Sequence, residues 1–453
     1  MQRLSHILSR LIVLFPCLFL AGGCANDRLP ETTTQGTGNL GSGTQGSTIQ
    51  GATACTGQCT PYISLVTWAI GLKPGVRFTF LATANYVGDP SVTWSIKEGS
   101  AGGVITDGGL YTAPAVEGVY HLIATSKTNT SLSATVTVAV TATELPVAGQ
   151  MSPARYFHTA SLLPSGQVFI AGGMNDDYDF ANPAELYDPI SRKFYDAGQV
   201  SRILHSATVL ANGDVLLAGG MNSNTADLRK AGSGAIQPTG SMNTARSNHS
   251  ATLLQDGRVL LAGGDTGEIA KPTQTAELYD PAIGKFTSAG NMATARSGHS
   301  AILLRNGRVL IVGGAVGAEF YDPTTDTFLP APGVSANRCN TIATPLADSR
   351  VLIAGGADCS NTLLDTAEIY DPSTGQSTPT GKLVAAQANG TATLLPDGRV
   401  LLVSSVITQI YDPTTGSFSF GPHLPSPWSG RTATLLPDGS VLIVVSDDYE
   451  IYK

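Results

Sequence analysis

Arginine and histidine recur at a fixed spacing in the C-terminal part of this chain, and both residue types could do chemistry. The stretch from 295 to 314, ARSGHSAILLRNGRVLIVGG, carries Arg296 three residues before His299 and ends in a glycine pair. A guanidinium group can bind carboxylates or sugar hydroxyls, and an imidazole can bind a metal ion or hydrogen-bond inside a fold. The question is therefore whether these side chains form a site or hold the structure together.

The stretch is one of seven related copies, and this repetition decides the fold. The position of His299 recurs at 158, 205, 249, 299, 341, 390 and 431. Most copies continue into AELYDP or a variant and then into a short run that ends near glycine. Each copy predicts four strands, with a PDG or NGR turn between the first two and the Asp-Pro of YDP turning between the last two.

This layout resembles the kelch repeat over residues 142–453. The glycine pairs, the tyrosine of the third strand and an aromatic residue in the fourth carry the resemblance, although phenylalanine stands at 194, 286, 328 and 418 where tryptophan is usual. Kelch repeats imply one propeller blade each, so the predicted fold is all-β, with a seven-bladed kelch-type β-propeller. Because ATELPVAGQM at 142–151 aligns with KFTSAGNM at 285–292, we predict that this N-terminal strand completes the seventh blade and closes the ring.

The resemblance also implies a role for the repeated arginines, which in kelch proteins often line the ligand-facing mouth. On this interpretation the ligand-binding residues are Arg155, Arg202, Arg246, Arg296 and Arg338. The alternative is packing, in which each arginine pairs with backbone carbonyls or with the glutamate of AEL. The histidines at 158, 205, 249 and 299 share strand parity with alanines expected to pack. We therefore expect hydrogen bonds between blades, with a ligand or metal role as the alternative.

The loops after the glycine pairs share that mouth, and binding residues often lie in such loops. The loop of the first copy carries the densest polar and aromatic cluster, suitable for a sugar or a cation: Asp176, Asp177, Tyr178 and Asp179. Solvated loop acids are the alternative. In the fifth copy, Cys339 and Cys359 stand at matching ends of a predicted hairpin, where a disulfide would rigidify the rim.

The N-terminal part predicts export and display. Residues 1–24 have a basic start and an apolar run, and they end in AGGC at Cys24, which resembles the lipobox of bacterial lipoproteins. We expect lipidation of Cys24 and a lipoprotein anchored at the outer membrane or cell surface; an ordinary secretory signal is the alternative. Residues 25–60 form a Gly/Ser/Thr linker in which Cys55 and Cys59 are predicted to pair, the alternative being a redox or metal pair.

Residues 61–141 change to short alternating runs and predict a β-sandwich. The stretches VTWSI, GLYTAPA and ATVTV resemble bacterial immunoglobulin-like domains that serve as spacers in surface proteins. Trp94 is then a core residue of that domain.

Several function classes are excluded or disfavoured. The net charge of −8 and the absence of a basic cluster interleaved with aromatics exclude nucleic-acid binding. No helix is predicted after the glycine pairs, so they do not form a phosphate loop, and no GxSxG elbow supports a serine hydrolase. Galactose oxidase-type copper enzymes also join a kelch propeller to β-sandwiches, but they need two histidines, two tyrosines and a cysteine crosslink that this sequence does not evidently supply.

We therefore predict no metal and no cofactor. The expected function is that of a monomeric, non-catalytic binding module for carbohydrate or protein, held at a membrane by its lipid. The alternative is a carbohydrate-active enzyme, galactose oxidase-like or other, with catalytic residues in the rim loops.

Overall fold

The computed structural model describes residues 61–65, 69–142, 147–175, 179–181, 183–267, 271–334, 338–358, 362–404, 407–424 and 430–453. The regular secondary structure of these residues is β-strand apart from one short 3₁₀ helix at Gly99–Gly102, and the predicted all-β class is confirmed. Within these ranges, no helix has the length and apolar character needed to cross a bilayer.

Three small sheets built from residues 62–140 surround one hydrophobic core. Their strands are β1 (Tyr62–Leu65), β2 (Ala69–Leu72), β3 (Arg77–Thr79), β4 (Ala82–Asn85), β5 (Val92–Ile96), β6 (Val104–Ile105), β7 (Leu110–Thr112), β8 (Gly118–Ser126) and β9 (Ser133–Val140). The sheet orders are β2-β9-β8-β5, β3-β7-β6 and β1-β4, and β2 runs parallel to β9. Tyr111 and Leu122 are fully buried in the core, and Trp94 packs against it.

The seven repeats form seven further antiparallel sheets. Their strands are β10 (Val147–Arg155), β11 (Thr159–Leu162), β12 (Val168–Ala171), β13 (Glu185–Asp188), β14 (Lys193–Asp196), β15 (Ser206–Val209), β16 (Val215–Ala218), β17 (Ala226–Arg229), β18 (Ile236–Pro238), β19 (Ser250–Leu253), β20 (Val259–Ala262), β21 (Thr273–Asp280), β22 (Lys285–Arg296), β23 (Ser300–Leu303), β24 (Val309–Val312), β25 (Glu319–Asp322), β26 (Thr327–Pro330), β27 (Ile342–Pro345), β28 (Val351–Ala354), β29 (Ala367–Asp371), β30 (Gln376–Pro379), β31 (Thr391–Leu394), β32 (Val400–Val403), β33 (Ile407–Asp412), β34 (Ser417–His423), β35 (Thr432–Leu435) and β36 (Val441–Tyr452).

Six of these sheets contain four strands in chain order, beginning at β11, β15, β19, β23, β27 and β31. The seventh is three-stranded, with the order β10-β36-β35. Its strand β10 precedes all the other repeat strands in the chain, and it pairs with the last strand through Val147 opposite Glu450 and Gly149 opposite Tyr449. The first strands of neighbouring sheets contact one another, and β35 contacts β11.

The second strand of each four-stranded sheet has no polar face because neighbouring sheets cover both of its sides. In β16, Val215 and Leu217 pack toward β12 of the preceding sheet, whereas Leu216 and Ala218 pack toward β20 of the following one. Seven such clusters of buried residues link the described sheets in succession, and one of them joins β36 to β12. Burial on both sides explains why runs such as VLLA lack polar alternation.

The N-terminal sheets contact the sixth repeat sheet. Ala139 of β9 is buried against Ala385 and Ile407, with Val119 and Phe420 packed alongside. Because all five side chains are apolar, this contact buries hydrophobic surface of both parts of the chain.

Candidate functional site

Each repeated arginine lies where the chain enters the first strand of a sheet, and each is buried. Arg296 is 0% exposed. Its Nη2 donates to Glu319 Oε1 at 2.8 Å, and its Nη1 donates to the carbonyls of Gly313 and Gly317 at 2.9 and 3.1 Å. Arg296 ends β22 of the preceding sheet, Gly313 follows β24 and Glu319 opens β25. The Arg296 side chain therefore links the segment that enters the sheet to the second and third strands of that sheet.

The same ion pair recurs in five of the sheets. The N···O distances are 2.8 Å for Arg155–Glu185, 2.6 Å for Arg202–Asp227, 2.7 Å for Arg246–Glu277, 2.8 Å for Arg296–Glu319 and 3.6 Å for Arg338–Glu368. In the first pair, burial lowers the pKa of Arg155 and raises the pKa of Glu185, while attraction between the two charges opposes both shifts. Of the two alternatives for these five arginines, ligand binding or packing, the structure shows packing: each guanidinium group is buried and paired with a carboxylate.

The sixth sheet replaces this ion pair with two amides. Gln387 stands at the arginine position and Gln409 at the carboxylate position, and Gln409 Nε2 donates to Gln387 Oε1 at 2.9 Å. Gln409 Oε1 accepts from the backbone N–H of Val384 at 2.7 Å. Glu319 Oε2 accepts in the same way from the N–H of Ala293 at 2.7 Å, so the amide keeps the backbone contact and removes the charges.

The seventh sheet keeps the carboxylate without an arginine at the usual position, which is Trp428 and lies outside the described residues. Glu450 is 0% exposed, and neither of its carboxylate oxygens has a hydrogen-bond partner within the described part of the chain. Burial raises the pKa of Glu450 to about 7; Arg431 opposes this shift and Asp448 adds to it.

The repeated histidines bridge neighbouring sheets. Each Nε2 hydrogen-bonds a hydroxyl on the first strand of the preceding sheet: His158 to Thr432 at 3.0 Å, His205 to Thr159 at 3.1 Å, His249 to Ser206 at 2.8 Å and His299 to Ser250 at 2.9 Å. The predicted structural role of these histidines is confirmed. The bond from His158 to Thr432 joins the first sheet to the last.

Acidification should weaken the fold through these histidines, and His205→Gln should reduce that effect. Burial lowers the pKa of His205 to about 3, with Arg202 acting in the same direction. The folded chain keeps this ring neutral while the unfolded chain protonates it near pH 6.5, so stability is lost as pH falls below 6.5. Between pH 7.5 and pH 5, urea unfolding should show a loss about 2 kcal/mol smaller in the variant than in the wild type. Equal losses would mean that His205 is protonated in the folded chain.

The glycine pairs let one sheet approach the next. The N–H of Gly264 donates at 2.9 Å to the carbonyl of Arg296, the last residue of β22, from which the chain enters the following sheet. A Cβ on Gly263, whose φ is 61°, would lie 2.5 Å from that same oxygen. Only glycine combines this left-handed backbone with so close an approach, which supports the prediction that the pairs are backbone devices.

In each of the seven repeats, the residue immediately before the histidine position has a left-handed backbone conformation, and we call these seven residues the inner ring. Their φ values are 58° at Phe157, 56° at Leu204, 52° at Asn248, 61° at Gly298, 53° at Asn340, 55° at Asn389 and 82° at Gly430. Backbone N–H groups of Asn248, Gly298 and Asn389 donate to the preceding members Leu204, Asn248 and Asn340 at 3.1, 3.2 and 3.1 Å. A Cβ on Gly430 would lie 3.0 Å from the nitrogen of Phe157, so the last member approaches the first.

Sequence reasoning missed the inner ring. Its available signal was the recurrence of Asn and Gly before the histidine position, since these residues tolerate the left-handed region. At Phe157 and Leu204 the signal is absent, because bulky side chains do not predict a positive φ.

One described loop reaches the inner ring. Asp265 follows β20, and its Oδ2 accepts from Ser297 Oγ at 2.6 Å and from the exposed Asn248 Nδ2 at 3.1 Å. Asp179, in the loop after β12, is exposed, and its backbone N–H donates to Asn175 Oδ1 at 2.9 Å. The other residues predicted in that loop, Asp176, Asp177 and Tyr178, lie outside the described residues.

The cysteine predictions fall mostly outside the described chain. Cys339 pairs through its backbone with Ala357, two residues before Cys359. Cys359, Cys24, Cys55 and Cys59 lie outside the described residues, so both disulfides and the lipidation stay predictions.

Comparison with known proteins supports the fold. No family model matches this chain, and no curated protein matches it either. Among solved structures, a fungal alcohol oxidase of the AA5 family, described in complex with copper, is similar with a TM-score of 0.57 and 16% sequence identity. The match covers 68% of this chain and 76% of that chain. The chain therefore shares the kelch-like, β-rich fold of galactose oxidase-like proteins.

The donors described in this chain do not fit the copper named for that oxidase. Within the described residues, no group of three or more His, Cys, Asp or Glu side chains is placed to hold a metal ion. The Nε2 atoms of the four repeated histidines are engaged with hydroxyls between sheets. Coordination through these nitrogens would break the contacts that join neighbouring sheets.

Proposed function

We propose that the seven repeat sheets are the blades of a closed kelch-type propeller, and that residues 62–140 are an immunoglobulin-like spacer. Three features support closure: the succession of seven buried clusters, the hydrogen bond between His158 and Thr432, and the pairing of β10 with β36. The inner ring then surrounds one mouth of the central channel.

The function proposed is binding without catalysis, with a carbohydrate or a protein as the ligand of this mouth face. The observation that carries this proposal is that the polar side chains fall into two groups, one buried within the scaffold and one exposed. The repeated arginines and histidines are buried in contacts within and between the sheets. Exposed polar groups lie at one end of the first strands, such as Asn248 in the inner ring and Asp179 in a loop whose sequence differs from sheet to sheet. Segments that differ from sheet to sheet, carried on a rigid scaffold, suit recognition.

The setting proposed is display outside the cell. Lipidated Cys24 would anchor a monomer at a bacterial outer membrane or cell surface, and residues 25–60 would tether the folded part. The AGGC sequence and the Gly/Ser/Thr composition support this proposal.

A glycan array probed with the full chain tests the proposed function. We expect at least one glycan to bind and to be recovered chemically unchanged. Asp179→Ala, at the mouth face, should weaken binding at least tenfold. Asp256→Ala is the matched control, because Asp256 lies in the turn between β19 and β20 at the opposite end of the first strand.

Recovery of an oxidised or cleaved glycan would instead favour the enzyme alternative. Loss of binding in the Asp256 variant alone would place the ligand on the opposite face.

A further inference from the structure

We infer that the inner ring is itself a binding site and that its ligand is a neutral sugar. The ring divides into an apolar arc, formed by Phe157 and Leu204, and an amide arc, formed by Asn248, Asn340 and Asn389. The inference deepens the proposed function and rests on it, since the mouth face must be open to ligand.

The apolar arc is held in an unfavourable backbone conformation. Five of the seven ring positions hold Asn or Gly, which tolerate positive φ, but Phe157 and Leu204 adopt φ of 58° and 56°. A bulky residue in this region costs free energy, and such strain is typical of functional sites. The chain accepts this cost at two adjacent ring positions, which favours a role for the side chains, both of which are partly exposed.

The amide arc supplies groups that match hydroxyls. An asparagine amide both donates and accepts hydrogen bonds, as a sugar hydroxyl does. Asn248 and Asn389 are exposed, and Asp265 orients the Asn248 amide through the bond to Nδ2 while also accepting from Ser297. Tolerance of positive φ accounts for asparagine at these positions but not for this oriented side chain.

The charges near the ring favour a neutral ligand. The arginines that enter the first strands are paired with carboxylates and buried, so they offer no cationic group to an acidic sugar or a phosphate. Asp265 adds negative charge beside Asn248. A neutral sugar presents an apolar C–H face to Leu204 and Phe157 and hydroxyl edges to the amides, which matches both arcs.

Two substitutions test the inference, and each introduces a residue type that another inner-ring position already holds. Leu204→Asn copies Asn248, and Asn389→Gly copies Gly298, so both preserve positive φ while they remove the proposed contact. The control is Leu329→Asn, on the exposed outer strand β26. The full chain and its variants are titrated with neutral oligosaccharides, acidic oligosaccharides and a peptide library.

We expect both ring variants to lower affinity for a neutral oligosaccharide at least tenfold and the control to leave it unchanged. Because asparagine tolerates the left-handed region, Leu204→Asn should also keep Tm or raise it by about 2 °C. A purely structural Leu204 would instead lower Tm and spare binding.

The inference is overturned if neutral oligosaccharides bind both ring variants as tightly as the wild type, or if the chain prefers acidic oligosaccharides or peptides. In those cases a loss of binding in Asp179→Ala would still support the proposed function at the rim loops. Chemical conversion of the sugar would instead overturn the proposed function and leave the ring as a substrate-binding surface. Absence of any oligosaccharide binding also overturns the inference.

Discussion

Replacing Arg296 by glutamine should destabilise the fold by about 3 kcal/mol, and adding Glu319→Gln should restore most of that loss. In the single variant, the buried carboxylate of Glu319 loses the guanidinium that compensates it. An uncompensated buried charge costs several kcal/mol, whereas a neutral, hydrogen-bonded replacement for a buried ion pair is often tolerated.

The sixth sheet shows why the double variant should recover. Gln387 and Gln409 already form this amide pair at the equivalent positions, and Gln409 Oε1 keeps the backbone contact that Glu319 Oε2 makes elsewhere. The arrangement is therefore compatible with the same backbone.

Urea unfolding of the two variants and the wild type measures the effect. The control is Arg399→Gln, which breaks an exposed pair with Asp397 and should change stability by less than about 1 kcal/mol. A double variant no more stable than Arg296→Gln alone would show that the guanidinium contacts to Gly313 and Gly317, rather than charge compensation, account for the stabilisation.

The repeat carried most of the information about the fold, because strand alternation, YDP turns and glycine pairs are local patterns. The role of Arg296 could not be predicted from local sequence, because it depends on a residue far along the chain. Its partner Glu319 lies 23 residues later, and the sequence allowed either a ligand-facing or a packed side chain. Only the juxtaposition of the first and third strands selects the ion pair.

The candidate site was less predictable than the scaffold. The histidine prediction could be made because the parity of His299 with Ala301 places both on a face that packs. The inner ring could not, because its defining property is a backbone angle that Phe157 and Leu204 do not signal. The same limit applies to Glu450: its carboxylate has no hydrogen-bond partner among the described residues because the seventh repeat departs from the pattern at the arginine position.

Glu450→Gln should stabilise the protein at pH 8 by about 3 kcal/mol and have little effect at pH 4. The pKa of Glu450 is about 7 in the folded chain, because burial outweighs the attraction of Arg431, and it is near 4.5 when unfolded. Below pH 4.5 both states hold the proton and the carboxyl group costs nothing extra. As pH rises from 4.5 to 7 the unfolded state ionises first, so folding becomes progressively less favourable, and the full cost persists above pH 7.

The matched control is Glu319→Gln, the same substitution at the equivalent position of a sheet that retains its arginine. There the carboxylate compensates buried Arg296, so its removal should destabilise the protein at pH 8, with a sign opposite to that at Glu450. Urea unfolding at pH 4 and pH 8 separates the two effects.

Because Glu450 lies opposite Val147 of β10, the gain in stability from Glu450→Gln should also appear as slower amide exchange along β10 and β36. A destabilising Glu450→Gln at pH 8 would mean that this carboxylate is ionised and compensated, and that the seventh sheet has a cationic partner in place of the repeated arginine.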